Sequence, residues 1–395
     1  MKKFLFITWD GPQVNYLEGL FYPIFDVIRK QLDIEFHIIQ FTWGNHKKIN
    51  YLQELSEQLG FKYTSVIINR KPHPIIGVYY TAYKGCKLIN KYIIENNIDI
   101  IMPRSNLPAM MINRIKNIKA KIIFDADGLP LEERVDFSGL KKSSLQYRLL
   151  KRQETLMLKK ANAVLTRSQK AIEIHLNNIG KEYLSKFFVV TNGRNPDFFH
   201  PNDSIRKEYR KKLGINENAI VFVYCGSLGS QYAPEEMIEI FVRYKSIDSF
   251  AKFLILTGSP GYIQDMIPEK IRKDVIVRSA SFEEVPDYLN IADIAFAIRK
   301  PTYSMQGVAP IKLGEYLLMG LPTIASKGIG DTENILQNNA ACFLYDHNDN
   351  HRMENAIKWC IKAQKFNPDK IRDFGIANFS LQKSAEDYIK AINYI

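Results

Sequence analysis

The sequence predicts an α/β protein built from two doubly wound parallel sheets. Three observations predict it. Short apolar runs alternate with longer stretches of helical periodicity from one end of the chain to the other, the pattern of strands joined by covering helices. The 395 residues are too many for one ordinary core and fit two domains of roughly 150–200 residues each, with a cleft expected between them. Four expected strands also end in polar, tightly turned segments containing Gly, as ligand-binding loops at the carboxyl ends of parallel strands require.

The first strand is expected at 4–8, within MKKFLFITWDGP. Its lysines and apolar run superficially resemble a secretion signal, but the run stops at Trp9-Asp10, short of the ~7–15 apolar residues of a signal core. Strands at 35–41, 64–68, 99–102, 121–125, 163–166 and 187–190 complete a first set, and a second set is expected at 219–224, 251–257, 275–277, 294–298, 323–325 and 342–345. Between them HPNDSIRKEYRKKLGI, 200–215, combines a Pro, turn residues and a charged helix, so the boundary is placed there. The domains read as 1–205 and 206–375, both Rossmann-like, followed by an amphipathic helix in 376–395. No run approaches the ~18 apolar residues of a membrane span.

Cys86, Cys225, Cys342 and Cys360 are far apart and without paired His, so neither zinc nor a disulfide framework is expected, and a reducing cytoplasm fits. Lys and Arg exceed Asp and Glu by 54 to 42, a net charge of +12 that favours anionic partners. Nucleic acid is not expected among them, because neither clustered Arg with aromatics nor a docking element stands out. Part of the excess lies in 141–160, KKSSLQYRLLKRQETLMLKK, seven basic residues and one Glu154 interspersed with leucines. Two readings stay open for it: a helix on anionic headgroups, making peripheral contact with a membrane, or a domain helix with a solvated basic face.

The four loops are 8–12, 125–128, 225–230 and 257–261. In the third, Gly226 and Gly229 would let backbone approach a ligand, and the helix that follows offers unpaired N–H groups to a diphosphate. Its GSLGSQ lacks the third Gly of a dinucleotide fingerprint, and the chain has no phosphate loop of the G-x-x-x-x-G-K-[ST] type, which disfavours dehydrogenase and motor chemistry.

The most informative stretch is APIKLGEYLLMGLPTIASKGIGDTENIL, 309–336. A helix is expected from Pro310 or Ile311, and its N-terminus attracts anions by roughly 0.3–1 kcal/mol. Lys312 in that first turn opposes the helix dipole but suits a bound phosphate. Glu315, one turn deeper on the same face, could accept both hydrogen bonds of a ribose diol. Gly320 ends the helix and Pro322 prevents its continuation. The alternative is a Lys312–Glu315 surface ion pair.

Lys312-x-x-Glu315-Tyr316-Leu317-x-x-Gly320-x-Pro322-x-Ile324-Ala325 resembles the donor-binding signature of retaining GT-B glycosyltransferases of the family-4, or group 1, set, which build bacterial polysaccharides and lipid-linked sugars. Weaker pieces follow in the family's order at Asp10-Gly11 with 16–20, at 124–128, 163–168, 190–193, 224–229 and 281–294, and in the last helix after Phe379-Ser380. The resemblance implies two Rossmann-like domains facing a cleft, with the C-terminal helix crossing back to the first. It implies a nucleotide-sugar donor, UDP or GDP, in the second domain, with Glu315 on the ribose. The diphosphate would lie at Gly226, Ser227 and Gly229 and along Gly307, Val308, Ala309, Pro310 and Ile311, with Gly11, Gly258 and Ser279 completing the donor contacts. Arg299, Lys300, Lys312 and Asp127 are the implied catalytic residues. No metal and no cofactor are implied: cations and N–H groups balance the leaving diphosphate, which takes the acceptor's proton. The acceptor would be a glycan or lipid-linked sugar, shaped by the loops at Gly11 and Asp127, in the cytoplasm at the inner membrane face.

The chain departs from the family at three places. Gly307 stands where the commoner form has a Glu eight residues before Glu315, so the sugar contact must come from elsewhere. Ser227 and Gln231 replace the usual Arg and Lys after the second domain's first strand, leaving Arg299, Lys300 and Lys312 as substitutes. Asp127 reverses the charge of the family's His or Arg. Competing expectations are a non-catalytic glycosyltransferase-like partner, a GT-B nucleotide-sugar epimerase or phosphorylase, and a polyanion binder.

Overall fold

The computed structural model describes residues 1–71 and 73–395. Among the described residues thirteen strands form, each where an apolar run predicts one. The first seven are β1 (Lys2–Trp9), β2 (Ile34–Thr42), β3 (Lys62–Ile67), β4 (Ile100–Pro103), β5 (Lys121–Asp127), β6 (Ala163–Thr166) and β7 (Phe187–Val189). They make one sheet in the order β3-β2-β1-β4-β5-β6-β7. The remaining six are β8 (Val221–Cys225), β9 (Lys252–Leu256), β10 (Val275–Arg278), β11 (Ile294–Ala297), β12 (Thr323–Ser326) and β13 (Cys342–Tyr345), ordered β10-β9-β8-β11-β12-β13. Strand pairs in both sheets run parallel. Parallel strands with helices on both faces bury both sides, which is why these runs show no polar alternation. In β8, Val221, Val223 and Cys225 enter one core cluster while Phe222 and Tyr224 enter another on the opposite face.

The chain divides into two units that differ from the expected 1–205, 206–375 and 376–395. The first comprises Met1–Thr191, Gln306–Val308 and Ser384–Ile395, and the second Asn192–Met305 and Ala309–Lys383. The second unit starts earlier than expected because 192–199 is already committed to it: Arg194 N donates to Phe379 O at 2.8 Å, and Phe199 is buried in its core. The return to the first unit comes later, because helix Pro368–Phe379 still packs on helix Ile311–Leu318. A Cβ at Gly375 would meet Leu317 C at 2.8 Å, and one at Gly314 would meet Phe379 Cβ at 2.9 Å, so both glycines are needed for that approach. The last helix, Leu381–Tyr394, then joins the first unit as expected: Ser384 Oγ donates to Thr191 O at 2.6 Å and Tyr388 is buried beside Arg167.

The basic segment 141–160 forms helix Leu145–Lys160, its start set by Ser144, whose Oγ accepts from Tyr147 N at 3.2 Å. Leu150, Glu154, Met157 and Leu158 are buried, and Lys151 is drawn inward to Glu132 and Glu154 at 3.1 and 2.7 Å. Leu145, Leu149 and Leu156 remain exposed with Arg148, Arg152 and Lys159, spaced so that all six share one face. Among the described residues no helix is long and apolar enough to cross a membrane.

Candidate functional site

In the second unit the strand order reverses between β8 and β11, where open parallel sheets bind ligands. β8 leads into Gly226 at φ 140°, a conformation that a side chain would strain. A Cβ there would also overlap Lys312 Cε and Nζ, so the lysine stem runs directly across this glycine. The Lys312 ammonium lies 5.1 Å from the Tyr232 ring centroid. β11 leads into Arg299, whose guanidinium stacks 4.8 Å from the same ring. Its Nη2 donates to Tyr232 Oη at 3.2 Å and its Nη1 to Gln231 Oε1 at 3.4 Å, while Lys300 N donates to Gln231 O at 3.0 Å. Two cations therefore share one tyrosine at the switch point. Beside them helix Ile311–Leu318 starts after Pro310 with no side-chain cap, so its first N–H groups are open to an anion.

Glu315 sits one turn deeper and is buried. The alternative ion pair with Lys312 does not form; Glu315 Oε1 accepts from Arg194 Nε at 2.9 Å. Tyr316 fixes the helix to β8, its Oη accepting from Cys225 N at 2.8 Å. Burial pushes the Cys225 thiol up to about 12, with Glu315 adding to the shift and Lys312 opposing it. At the other end Gly320, at φ 70°, donates to Leu317 O and Leu321 donates to Tyr316 O, both at 3.0 Å. These are the two bonds of a Schellman stop, after which Pro322 sends the chain into β12.

The other expected donor residues divide. Gly258 and Ser279 follow β9 and β10, with Ser279 Oγ donating to Thr257 O at 2.9 Å, and Ala309 O accepts from Asn192 Nδ2 at 3.0 Å, also in the second unit. A Cβ at Gly229 or Gly258 would meet nothing within 4 Å, so packing does not require glycine there. Gly307 and Val308, expected beside the diphosphate in the second domain, belong to the first unit instead. A Cβ at Gly307 would come 2.8 Å from Leu129 N, which leaves no room for the Glu the family pattern places there. Gly11 also belongs to the first unit, and its lack of a side chain is explained by Trp43, 2.6 Å from the Cβ position.

The corresponding edge of the first sheet carries a buried ionic cluster. Arg104, after β4, reaches Asp127 at 2.6 Å, Asp10 at 3.7 Å and Asp125 at 3.8 Å. Arg167, after β6, reaches Asp125 at 2.9 Å and Asp127 at 3.5 Å. Asp127 stands at φ 62° on a bulge between β5 and β6, strained backbone of the kind that gathers at functional sites. Burial opposes its charge, but the Arg104 and Arg167 guanidiniums outweigh this and hold its carboxyl below the usual carboxylate range. Burial instead raises Asp10, against the pull of Arg104 and the Thr8 hydroxyl. The Asp127 side chain keeps 29% exposure, so a ligand can reach it.

Residues 205–375 match the family of glycosyl transferases, group 1. Solved structures of the same fold span the whole chain. A glycosyltransferase from Rickettsia africae ESF-5 is 18% identical, covering 100% of this chain and 99% of its own with a TM-score of 0.70. Anabaena HepE in complex with UDP-glucose is 14% identical, covering 100% of both chains at 0.69. The lipopolysaccharide outer core galactosyltransferase WaaB is 14% identical, covering 99% of each chain at 0.68. At these identities the likeness establishes the GT-B fold. No curated protein sequence matches the chain.

Within the second unit, sequence reasoning missed Arg194, Tyr232 and the bond from Cys225 to Tyr316. The signal for Arg194 was its place after Asn192-Gly193, a strand-end segment already singled out. In the first unit it missed the joint role of Asp10, Arg104 and Arg167; Asp10 stood in a noted loop and Arg167 at a noted strand end, but their convergence needs the strand order.

Proposed function

We propose that the protein transfers a sugar from a UDP- or GDP-sugar to a glycan or lipid-linked acceptor of a bacterial surface polysaccharide, with retention of configuration and without metal. The observation that carries this reading is the pairing of Arg299 and Lys312 on Tyr232 beside Gly226, at the switch point of a group 1 glycosyl transferase domain. There a diphosphate would meet Lys312, Arg299 and the open N–H groups of helix Ile311–Leu318, all placed before the charge of the leaving group develops. Glu315, oriented by Arg194, takes the ribose hydroxyls. On the first unit Asp127 is a poor base because two arginines hold it ionised, so its role is to accept a hydrogen bond from the acceptor hydroxyl. That supports transfer of the acceptor's proton to the leaving phosphate, as a retaining reaction without a protein base requires.

Calorimetric titration with UDP, GDP, ADP and CMP, in EDTA and then with magnesium, tests the donor site. One diphosphate is expected to bind in EDTA. Glu315→Gln, which keeps an oxygen for Arg194, should weaken it by about 10–150-fold, the worth of hydrogen bonds to a charged group. Absence of binding by all four would overturn the reading in favour of a non-catalytic partner.

Peripheral contact with an anionic membrane is proposed for the exposed Leu145, Leu149 and Leu156 face with its Arg148, Arg152 and Lys159. The protein should cosediment with vesicles containing anionic phosphatidylglycerol and not with pure phosphatidylcholine, and Leu145→Asp with Leu149→Asp should abolish sedimentation. Equal sedimentation of that double variant would remove this face from consideration.

A further inference from the structure

Behind Arg299 runs a chain of polar groups that the donor chemistry leaves without a role. Arg299 N donates to Ser326 Oγ at 2.9 Å. Ser326 Oγ lies 2.9 Å from His347 Nε2, and His347 Nδ1 lies 2.9 Å from Glu236 Oε2. Arg352 Nε, 3.7 Å from Glu236 Oε1, is the next charge beyond. The chain is assembled from separate elements of the second unit: Arg299 follows β11, Ser326 closes β12, His347 follows β13, and Glu236 stands in the first turn of helix Pro234–Lys245. Parallel pairing of β12 with β11 on one side and β13 on the other brings their ends together.

The proton positions follow from this geometry. A hydroxyl that accepts the Arg299 N–H still has its own proton to place, and Ser326 is only 1% exposed, away from water. His347 Nε2 is the acceptor within reach, so the ring proton sits on Nδ1, facing the Glu236 carboxylate. Acid, imidazole and hydroxyl in that order match the layout of a serine hydrolase, but a buried Ser326 whose oxygen already accepts the Arg299 N–H is not placed to attack a substrate. What the chain can do is hold backbone. The Arg299 guanidinium stacks 4.8 Å from the Tyr232 ring centroid, and Glu236 stands four residues after Tyr232. The chain therefore ties the segment that carries the guanidinium to the helix that follows its stacking partner.

We propose that Ser326, His347 and Glu236 are positioning residues for Arg299, fixing its guanidinium on Tyr232 before the diphosphate of a nucleotide arrives. With its N–H held, the arginine extends from a fixed backbone, and its charge needs little reorganisation as a leaving group forms. The proposal rests on the donor reading above and adds to that site three residues that act through Arg299 rather than on the nucleotide.

A free nucleoside diphosphate carries the charge that the departing group acquires, so its affinity reports on Arg299. Whichever of UDP, GDP and ADP binds the full-length protein in EDTA would be titrated calorimetrically into single and double variants. Arg299→Ala should weaken it about tenfold or more, the worth of a bond to a charged group. Ser326→Ala, His347→Leu and Glu236→Ala should each weaken it about 3–10-fold, and none should weaken it further in the Arg299→Ala background, as groups acting through one another behave. His347→Gln, which keeps an acceptor for the Ser326 hydroxyl, should recover most of the affinity. Thermal unfolding of each variant reports whether the fold is kept, and Ser326→Ala, which removes a single oxygen, covers the case in which His347→Leu fails to fold. Parental affinity in any of the three, equal losses with and without Arg299, or a His347→Gln no better than His347→Leu would overturn the proposal. A diphosphate that binds and ignores Ser326 and His347 sinks the relay alone, whereas absence of diphosphate binding sinks the donor reading and the relay with it.

Discussion

Replacing Arg104 with Met should lower the unfolding temperature of the first unit by about 6–20 °C. Arg104 is the charge that three carboxylates share, with Asp127 at 2.6 Å and Asp10 and Asp125 within 3.8 Å. Without it Arg167 alone faces three acids at a buried sheet edge. Breaking a buried ion pair by removing one partner costs about 3–5 kcal/mol, because the other charge stays desolvated and unpaired. For domains of 150–250 residues each kcal/mol is worth roughly 2–4 °C, which gives the range above. Asp127→Asn should cost less, since it removes an acid from a cluster with an excess of them. Differential scanning calorimetry decides: a shift under about 2 °C for Arg104→Met would mean that water reaches the cluster and screens it. UDP binding should survive the substitution, because the donor residues belong to the second unit.

The second large effect is on turnover. Lys312→Ala should reduce kcat by about 10²–10³ with little change in donor KM, the usual loss when one preorganised group facing developing negative charge is removed. Its ammonium is held against Tyr232 before any ligand arrives, so little reorganisation is needed as the leaving diphosphate forms. Gly226→Ala offers an independent route to the same defect: the added methyl would displace the lysine stem and strain a φ of 140°. Both variants should remain folded and still bind nucleotide. If sugar transfer by Lys312→Ala proceeds at the parental rate, the charge on the leaving group is balanced elsewhere and Arg299 becomes the residue to remove.

The strands were legible because their burial on both faces leaves a nearly continuous apolar run, as in Phe4–Leu5–Phe6–Ile7 and Val221–Phe222–Val223–Tyr224. The helix Ile311–Leu318 was equally legible, since Pro310, Gly320 and Pro322 punctuate it and each acts locally. Partners fixed by long-range pairing were not. Arg194 and Glu315 are 121 positions apart, and nothing near either residue announces the other. The structural division departs from the expected boundary for a similar reason: 200–215 looks like a linker by composition, yet Arg210 in its helix is buried, donating to Ile291 O at 2.8 Å and to Asp293 at 2.7 Å. The glycine at 307 could be noticed in the sequence, but its cause, the Leu129 backbone against it, comes from a segment far away in the chain.

Because helix Leu381–Tyr394 lodges in the first unit from Ser384 onward, that unit cannot be finished until the residues from 384 on have been made. At ~5–20 residues per second, the ribosome needs roughly 10–40 s to travel from Thr191 to Ser384. Throughout that interval the N-terminal sheet lacks the tyrosine at 388 that covers Arg167, while the whole second unit is delivered. The usual order of vectorial folding is thereby inverted: the half synthesised first is completed last. Nascent chains stalled before residue 384 should be protease-sensitive in the half made first, and a chain stopped at Lys383 should be damaged in the sheet of 2–189.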